Sequence, residues 1–277
     1  MRAATRSAAD LEEVEAALLL EGVYRVYGYD FRDYVRSTVL KRIRACAREE
    51  RVPTVSALQE RLLRDPLAVR RFVSAMALHP TGLFRKPAVY KAFRSRVAPL
   101  LRERSRLRMW SLGCATGEEV YSMAVLLHEE GLDDKSQIYA TDLDAEAVRH
   151  AAAGAFPLAA LKAAEAGYRA AGGPGQLADY YRVDSRRGIF RRPLRRNIVF
   201  SPYNLVTDGS FNEFDVILCR NVLPSLQPTL QSRVHRLIRD SLARTGVLAL
   251  EPDEMRPPYR ELYEPIDPAH GLFRRVG

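Results

Sequence analysis

From Phe31 to Cys46 the apolar positions Phe31, Tyr34, Val35, Val39, Leu40, Ile43 and Cys46 recur at steps of three and four, with Arg32, Arg36, Lys41 and Arg44 between them. That period predicts a basic amphipathic helix. Val55 to Leu63 and Leu67 to Leu78 repeat it on either side of Asp65-Pro66, where proline can open a helix at its first turn. The front of the chain therefore reads as a small all-helical domain over 1–90. A further helix over 88–104, carrying Tyr90, Phe93, Val97, Leu100 and Leu101, supplies a linker at 91–106.

At Leu107 the pattern changes, and 107–277 reads as one α/β domain. Leu107 to Leu112 is a short strand, Gly113 to Gly117 a small-residue loop, and Glu118 to Glu130 a helix. A second strand runs from Gln137 to Thr141 and ends in Asp142, and Asp144 caps a helix through Ala152. Later strands are expected at 197–200, 214–219 and 246–250, with a helix from Pro228 to Ala243 and a hairpin over 262–276 turning near 268–271. Strands alternating with helices predict a parallel sheet covered on both faces. The segment 180–198 breaks the alternation. Its seven arginines (182, 186, 187, 191, 192, 195 and 196) sit among Tyr180, Tyr181, Val183, Ile189 and Phe190, which predicts a small basic β insertion with Gly188 at its turn.

Composition narrows the classes. The chain has 277 residues, 47% hydrophobic and 28% charged, enough for a sizeable core without a metal or disulfide framework. Cys46, Cys114 and Cys219 are an odd number at wide spacing, which points to a reducing compartment and away from structural zinc. Asp10, Glu12, Glu13 and Glu15 stand where a signal peptide needs an acid-free apolar run, and no apolar stretch approaches membrane-spanning length; a soluble cytoplasmic protein is expected. The net charge of +9 is unevenly placed. Residues 1–108 carry 23 Lys/Arg against 12 Asp/Glu, whereas 109–277 carry 20 against 22. A basic front attracts a polyanion, and composition does not choose between nucleic acid, an anionic membrane face and an acidic protein.

The chemistry is expected at the strand ends. In an open α/β sheet small molecules bind beyond the carboxyl ends of the strands, and an acid ending the second strand commonly takes a ribose diol. Gly113 and Gly117 allow close approach of a ligand to the backbone, the amides opening the next helix can hold a carboxylate, and Asp142 can accept from ribose hydroxyls. The loop lacks both the G-x-G-x-x-G and the G-x-x-x-x-G-K-[ST] phosphate patterns. A ligand with a ribose and an amino-acid end but no pyrophosphate fits better, which describes S-adenosylmethionine.

The run Trp110-Ser-Leu-Gly-Cys-Ala-Thr-Gly-Glu-Glu-Val-Tyr-Ser122, with Tyr139-Ala-Thr-Asp-Leu-Asp144, Asn204-Leu205 and Leu218-Cys-Arg-Asn-Val222, resembles the CheR family of chemotaxis protein-glutamate O-methyltransferases. Tyr27 to Tyr34 and Thr81-Gly-Leu-Phe-Arg85 resemble that family's helical domain and its T-x-x-F-R segment, so the likeness spans about 22–275. It implies a Rossmann-like S-adenosylmethionine-dependent methyltransferase domain, an N-terminal all-helical domain and an inserted antiparallel β-subdomain. It further implies methyl transfer to glutamates on the cytoplasmic helices of methyl-accepting chemoreceptors. Thr81 and Arg85 would reach the cofactor, with Arg85 also placing the incoming carboxylate. Gly113 and Ala115 would line the loop, one of Glu118 and Glu119 (Glu119 by preference) would hold the amino group, and Asp142 the ribose. Asn204 and Leu205 would flank the adenine, and Arg220 with Asn221 would close the floor. Arg182, Arg186, Arg187, Arg191 and Arg192 would suit an acidic receptor tail.

The chain departs from the family pattern in several places. Leu223-Pro-Ser-Leu226 replaces the segment that usually carries an aromatic hydroxyl, Lys86 follows Arg85 where an acid is common, and His79 stands where asparagine is frequent. Arg244-Thr-Gly246 replaces a Gly-Gly turn, and Leu250-Glu-Pro-Asp-Glu254 a glycine-containing strand end. Two other readings compete. One is a cofactor-binding signalling scaffold with weakened catalysis. The other is a nucleic-acid methyltransferase, for which Ser201-Pro-Tyr-Asn204 is a faint echo of the segment that holds a flipped base.

Overall fold

The structure is a computed structural model that describes residues 8–77, 82–257 and 259–276. It divides into two compact units. One comprises residues 1–78 with Pro224–Arg233, and the other 79–223 with 234–277. Residues 79–106 thus group with the α/β part.

In the first unit, α1 (Ala8–Tyr27), α2 (Arg36–Glu49), α3 (Val55–Arg64) and α4 (Pro66–Met76) pack around Leu19, Val23, Ile43, Leu58, Leu62 and Phe72. Thr54 accepts from Ala57 N at 3.1 Å and caps α3, while Asp65 accepts from Leu67 N at 2.8 Å and caps α4 with Pro66 in its first turn. Helix α1 was not foreseen in the sequence. It lies on α3, where Tyr27 Oη donates to Leu62 O at 2.9 Å. Helix α2 starts five residues later than the period suggests. Asp30 accepts from Arg32 N and pairs with its guanidinium, and Val35 N donates to Ser225 O at 2.8 Å, so residues 30–35 are committed elsewhere.

The second unit opens with α5 (Pro87–Ala92), a π-turn over Phe93–Val97 and α6 (Ala98–Arg102) in place of one continuous helix. Pro99 has no N–H for residue 95 and its ring crowds that carbonyl, so the turn before it widens. There follow β1 (Leu107–Leu112), α7 (Glu118–Glu129), β2 (Ser136–Asp142), α8 (Ala145–Ala153), β3 (Ala155–Pro157) and α9 (Leu158–Ala170). Next come β4 (Tyr181–Asp184), β5 (Arg187–Phe190), α10 (Arg192–Arg195), β6 (Ile198–Pro202) and β7 (Phe214–Leu218). Helix α11 (Pro228–Ser241) leads into β8 (Leu242–Ala249), and β9 (Tyr263–Asp267) and β10 (Leu272–Arg275) form the closing hairpin. Strand β8 begins four residues before the predicted 246.

The main sheet has the order β6-β2-β1-β7-β8-β10-β9. Strands β6, β2, β1, β7 and β8 pair in parallel, and β10 and β9 run antiparallel at one edge. Strand order reverses between β1 and β7, so a crevice opens there beyond the carboxyl ends. The insertion is a separate sheet of order β3-β5-β4. Its turn falls at Ser185 (φ 54°) and Arg186. Gly188 lies inside β5, paired with Phe156 and Val183. A Cβ at Gly188 would come within 2.2 Å of Leu161 and 2.7 Å of Tyr181, so glycine serves packing there. The end of the segment is helical α10, because Pro193 favours a first helical turn. Helix α9, absent from the sequence reading, supports this sheet through Leu161, which lies against Gly188 of β5.

Candidate functional site

Trp110 organises the strand ends. Fully buried, it donates from Nε1 to Thr141 Oγ1 at 2.8 Å, stacks on Phe214 and meets Tyr203 and Phe211 edge-on. The loop after β6 is thereby drawn to the end of β2, where Tyr203 N donates to Asp142 O at 2.9 Å. Asn204 and Leu205 follow directly. Asn204 Oδ1 accepts from Val206 N at 3.0 Å, and Asn204 N donates to Asp208 Oδ2 at 2.8 Å, which shapes the loop as an Asx turn.

The loop between β1 and α7 bends through three left-handed residues, Gly113 (φ 78°), Ala115 (φ 46°) and Gly117 (φ 96°). A Cβ at Gly117 would lie 2.8 Å from that of Ala151, so glycine is required on two counts. Asp142 braces the loop. Its Oδ2 accepts from Ala115 N at 2.8 Å and its Oδ1 from Asp144 N at 3.0 Å. Burial raises its pKa, and those backbone hydrogen bonds act against the rise. The Leu143 backbone also donates to this carboxylate, so of the about four acceptor positions of an ionised carboxylate one remains for a ribose hydroxyl.

The two glutamates opening α7 are used differently. Glu118 accepts from Thr116 Oγ1 at 2.8 and 2.7 Å. Glu119 is buried, and its Oε1 lies 2.5 Å from Arg220. Arg220 follows β7 and also pairs with Glu251 Oε1 at 2.8 Å, while Asn221 (φ 61°) donates to the same oxygen at 3.2 Å. Glu251 Oε2 in turn holds Lys86 Nζ at 2.5 Å. Burial opposes the charge on both central groups. Yet Glu119, Tyr90 and Glu251 hold the Arg220 pKa above its ordinary value, and Lys86 and Arg220 hold that of Glu251 below. Glu251 N donates to Glu254 Oε2 at 2.8 Å, which closes the turn after β8. Four charges, two of each sign, thus lie in one partly buried chain, where removing Arg220 would strand the buried carboxylates on either side of it.

Of the residues singled out in the sequence, Gly113, Ala115, Asp142, Asn204, Leu205, Arg220 and Asn221 lie at the carboxyl ends of β1, β2, β6 and β7 or on the loops leaving them, and Glu118 and Glu119 lie in the first turn of α7. Arg85 is exposed in the turn before α5. Thr81 and His79 lie outside the described residues. Arg182, Arg186, Arg187, Arg191 and Arg192 are all exposed on or beside the small sheet. Ser225 groups with the helical unit, where its carbonyl holds Val35 N. The sequence reading missed Lys86, Glu251 and Glu254 as site residues. Their signal was present as two departures from the family pattern with opposite charge.

Other chemistries find little support among the described residues. No cluster of three or more His, Cys, Asp or Glu could hold a metal ion there. Burial raises the pKa of all three thiols, which keeps them protonated and poor nucleophiles. No described helix is long and apolar enough to cross a membrane. The site does fit a nucleoside carrying an amino acid. Asp142 and Glu119 offer acceptors, and Ser111 Oγ and Arg220 Nε are buried polar atoms without a hydrogen-bond partner at the ends of β1 and β7.

Comparison with known proteins agrees with this geometry. The model of the CheR methyltransferase SAM binding domain matches residues 79–264, and that of the CheR methyltransferase all-alpha domain matches 15–77. A Pseudomonas putida relative named as the methyltransferase Cher3 is 37% identical over 265 residues, 95% of this chain and 97% of its own. A chemotaxis protein methyltransferase of Listeria innocua is 28% identical across 82% of this chain and 84% of its own. One from Salmonella typhimurium is 27% identical across 78% and 74%.

Proposed function

The chain belongs to the CheR methyltransferase family, and from the geometry of its strand ends we propose that it esterifies glutamate side chains of methyl-accepting chemoreceptors with the methyl group of S-adenosylmethionine. The observation that carries this reading is the pairing of Asp142, at the end of β2, with the left-handed loop 113–117 beside the strand-order reversal. This is where an α/β sheet takes a nucleoside, and no phosphate-binding pattern is present.

In this reading Asp142 receives a ribose hydroxyl, Glu119 the ammonium group, and Asn204 and Leu205 border the base. Arg220 and Asn221 form the floor. When bound, S-adenosylmethionine supplies a methyl group activated by its sulfonium, and a glutamate already ionised at neutral pH accepts it without a general base. The protein's share is then orientation and exclusion of water, which can contribute about 7–11 kcal/mol at best. Arg85 orients the carboxylate, since its planar guanidinium matches the two oxygens and stays charged. That charge also lowers carboxylate nucleophilicity, so orientation must outweigh the loss. Thr81 would border the same site.

The receptor helices expected as substrate are acidic, which suits the excess of 23 Lys/Arg over 12 Asp/Glu in residues 1–108. Strand β4 is an edge of the small sheet with exposed Arg182 and Val183, able to add an acidic receptor tail as a further strand. The test is calorimetric titration with S-adenosylmethionine and S-adenosylhomocysteine, followed by radiolabelled transfer to receptor-bearing membranes. Base-labile label on receptor protein is expected. Binding without label would favour a cofactor-binding signalling scaffold, and absence of binding would end the enzyme reading.

A further inference from the structure

The turn that carries Arg85 is gripped on both sides. Phe84 (φ 51°) and Lys86 (φ 55°) both have left-handed backbone, which non-glycine residues rarely adopt and which persists where surrounding structure enforces it. For Phe84 the enforcement is burial. Its ring packs on Tyr90 and Tyr168, its amide donates to Ser122 Oγ at 2.9 Å, and a Cβ at Gly167 would meet its carbonyl at 3.1 Å. Lys86 precedes Pro87, which disfavours right-handed helical backbone at position 86. Its side chain is half-exposed, and the described contact that ties it down is the ammonium on Glu251 Oε2 at 2.5 Å.

Glu251 is a rigid anchor. It is buried, carries Arg220 and Asn221 on its other oxygen, and is fixed at the backbone by Glu254. An acidic and a basic residue 165 positions apart, each a departure from the family pattern, therefore answer one another. We propose that Lys86 is a positioning residue: its ion pair with Glu251 holds the 82–87 turn to the end of β8, so that Arg85 is presented in one place. The inference rests on the orienting role given above to Arg85. A half-exposed lysine contributes little to net stability, so its loss should act on placement more than on folding.

The test compares Lys86→Met, which removes the charge at similar length, with Lys86→Arg, which keeps it. Hydrogen exchange without cofactor should show the amides of 84–86 exchanging roughly twofold to fivefold faster in Lys86→Met, in line with loss of a partly exposed pair. Lys86→Arg should exchange as the parent does. With labelled S-adenosylmethionine and receptor membranes, kcat should fall by a similar factor in Lys86→Met and recover in Lys86→Arg, while affinity for S-adenosylhomocysteine stays within about twofold. Adding Lys86→Met to Arg85→Ala should lower kcat no further. Unchanged exchange in Lys86→Met, or effects of the two substitutions that multiply, would overturn the proposal. If Arg85→Ala alone left transfer unchanged, the orienting role of Arg85 would fail, while the exchange result would still decide whether Lys86 holds the turn.

Discussion

Burial pushes the carboxyl of Glu254 up to about 7 from an ordinary 4.5, against hydrogen bonds from the backbone of Glu251 and Asn221. The folded state therefore holds this proton more tightly than the unfolded one. Its stabilising contribution is complete below pH 4.5 and is lost as pH rises to about 7, a span worth on the order of 3 kcal/mol. Glu254→Gln, a neutral mimic, should remove this slope, and urea unfolding across pH 4.5–8 should show its advantage over the parent growing with pH. His235, pushed down to about 4 by burial, gives a slope of opposite sign in both proteins and cancels in the difference. Parallel stability curves would mean that folding leaves the Glu254 carboxyl at its ordinary pKa. At the same scale, Asp142→Ala should weaken S-adenosylmethionine binding by roughly 30-fold or more, because charged hydrogen bonds are lost and the loop loses its brace. Arg85→Ala should instead lower transfer by roughly 100-fold with binding within about threefold, as expected for orientation. Calorimetry beside a methylation assay separates the two.

Among elements, the inserted β3-β5-β4 sheet depends on Gly188, where a methyl group would strike Leu161 and Tyr181. Gly188→Ala should destabilise that sheet by about 1–3 kcal/mol and make it the first segment cut by protease. Affinity for S-adenosylhomocysteine should change less than about twofold, since the sheet supplies none of the strand-end residues. Loss of receptor labelling with binding intact would locate partner docking on the insertion; full labelling would remove it from that role. The linker shows how an element can be legible in kind and illegible in detail. Its apolar period over 88–104 announced a helix, but Pro99 converts the turn before it to a π-turn.

On the scale of the whole molecule the net charge of +9 sets the expected response to salt. Association with an acidic receptor array should weaken as the Debye length shrinks from about 10 Å at 0.1 M to about 3 Å at 1 M salt. The KM for receptor membranes should therefore rise several-fold over that range, while the S-adenosylmethionine Kd, set inside the strand-end crevice, moves little. A KM indifferent to salt would remove electrostatic recruitment from the reading.

Much of the fold and site could be read in the chain because the signals are local. Apolar period fixes helix or strand, Pro66 and Asp65 mark a helix start, and the spacing of Gly113, Gly117 and Asp142 belongs to one strand–loop–helix–strand unit. What escaped was non-local. Helices α1 and α9 are defined more by what they pack on than by strong punctuation of their own. Gly188 has the composition of a turn residue but is demanded by two side chains from elsewhere. Lys86 and Glu251 looked like separate departures until folding placed an ammonium and a carboxylate together, and Arg220 became the centre of a charge chain only when β7, α7 and the end of β8 converged on it. Periodicity and turn chemistry act between near neighbours and so are written along the chain; burial, pairing and the pKa of Glu254 are sums over distant neighbours, which the tertiary structure alone assembles.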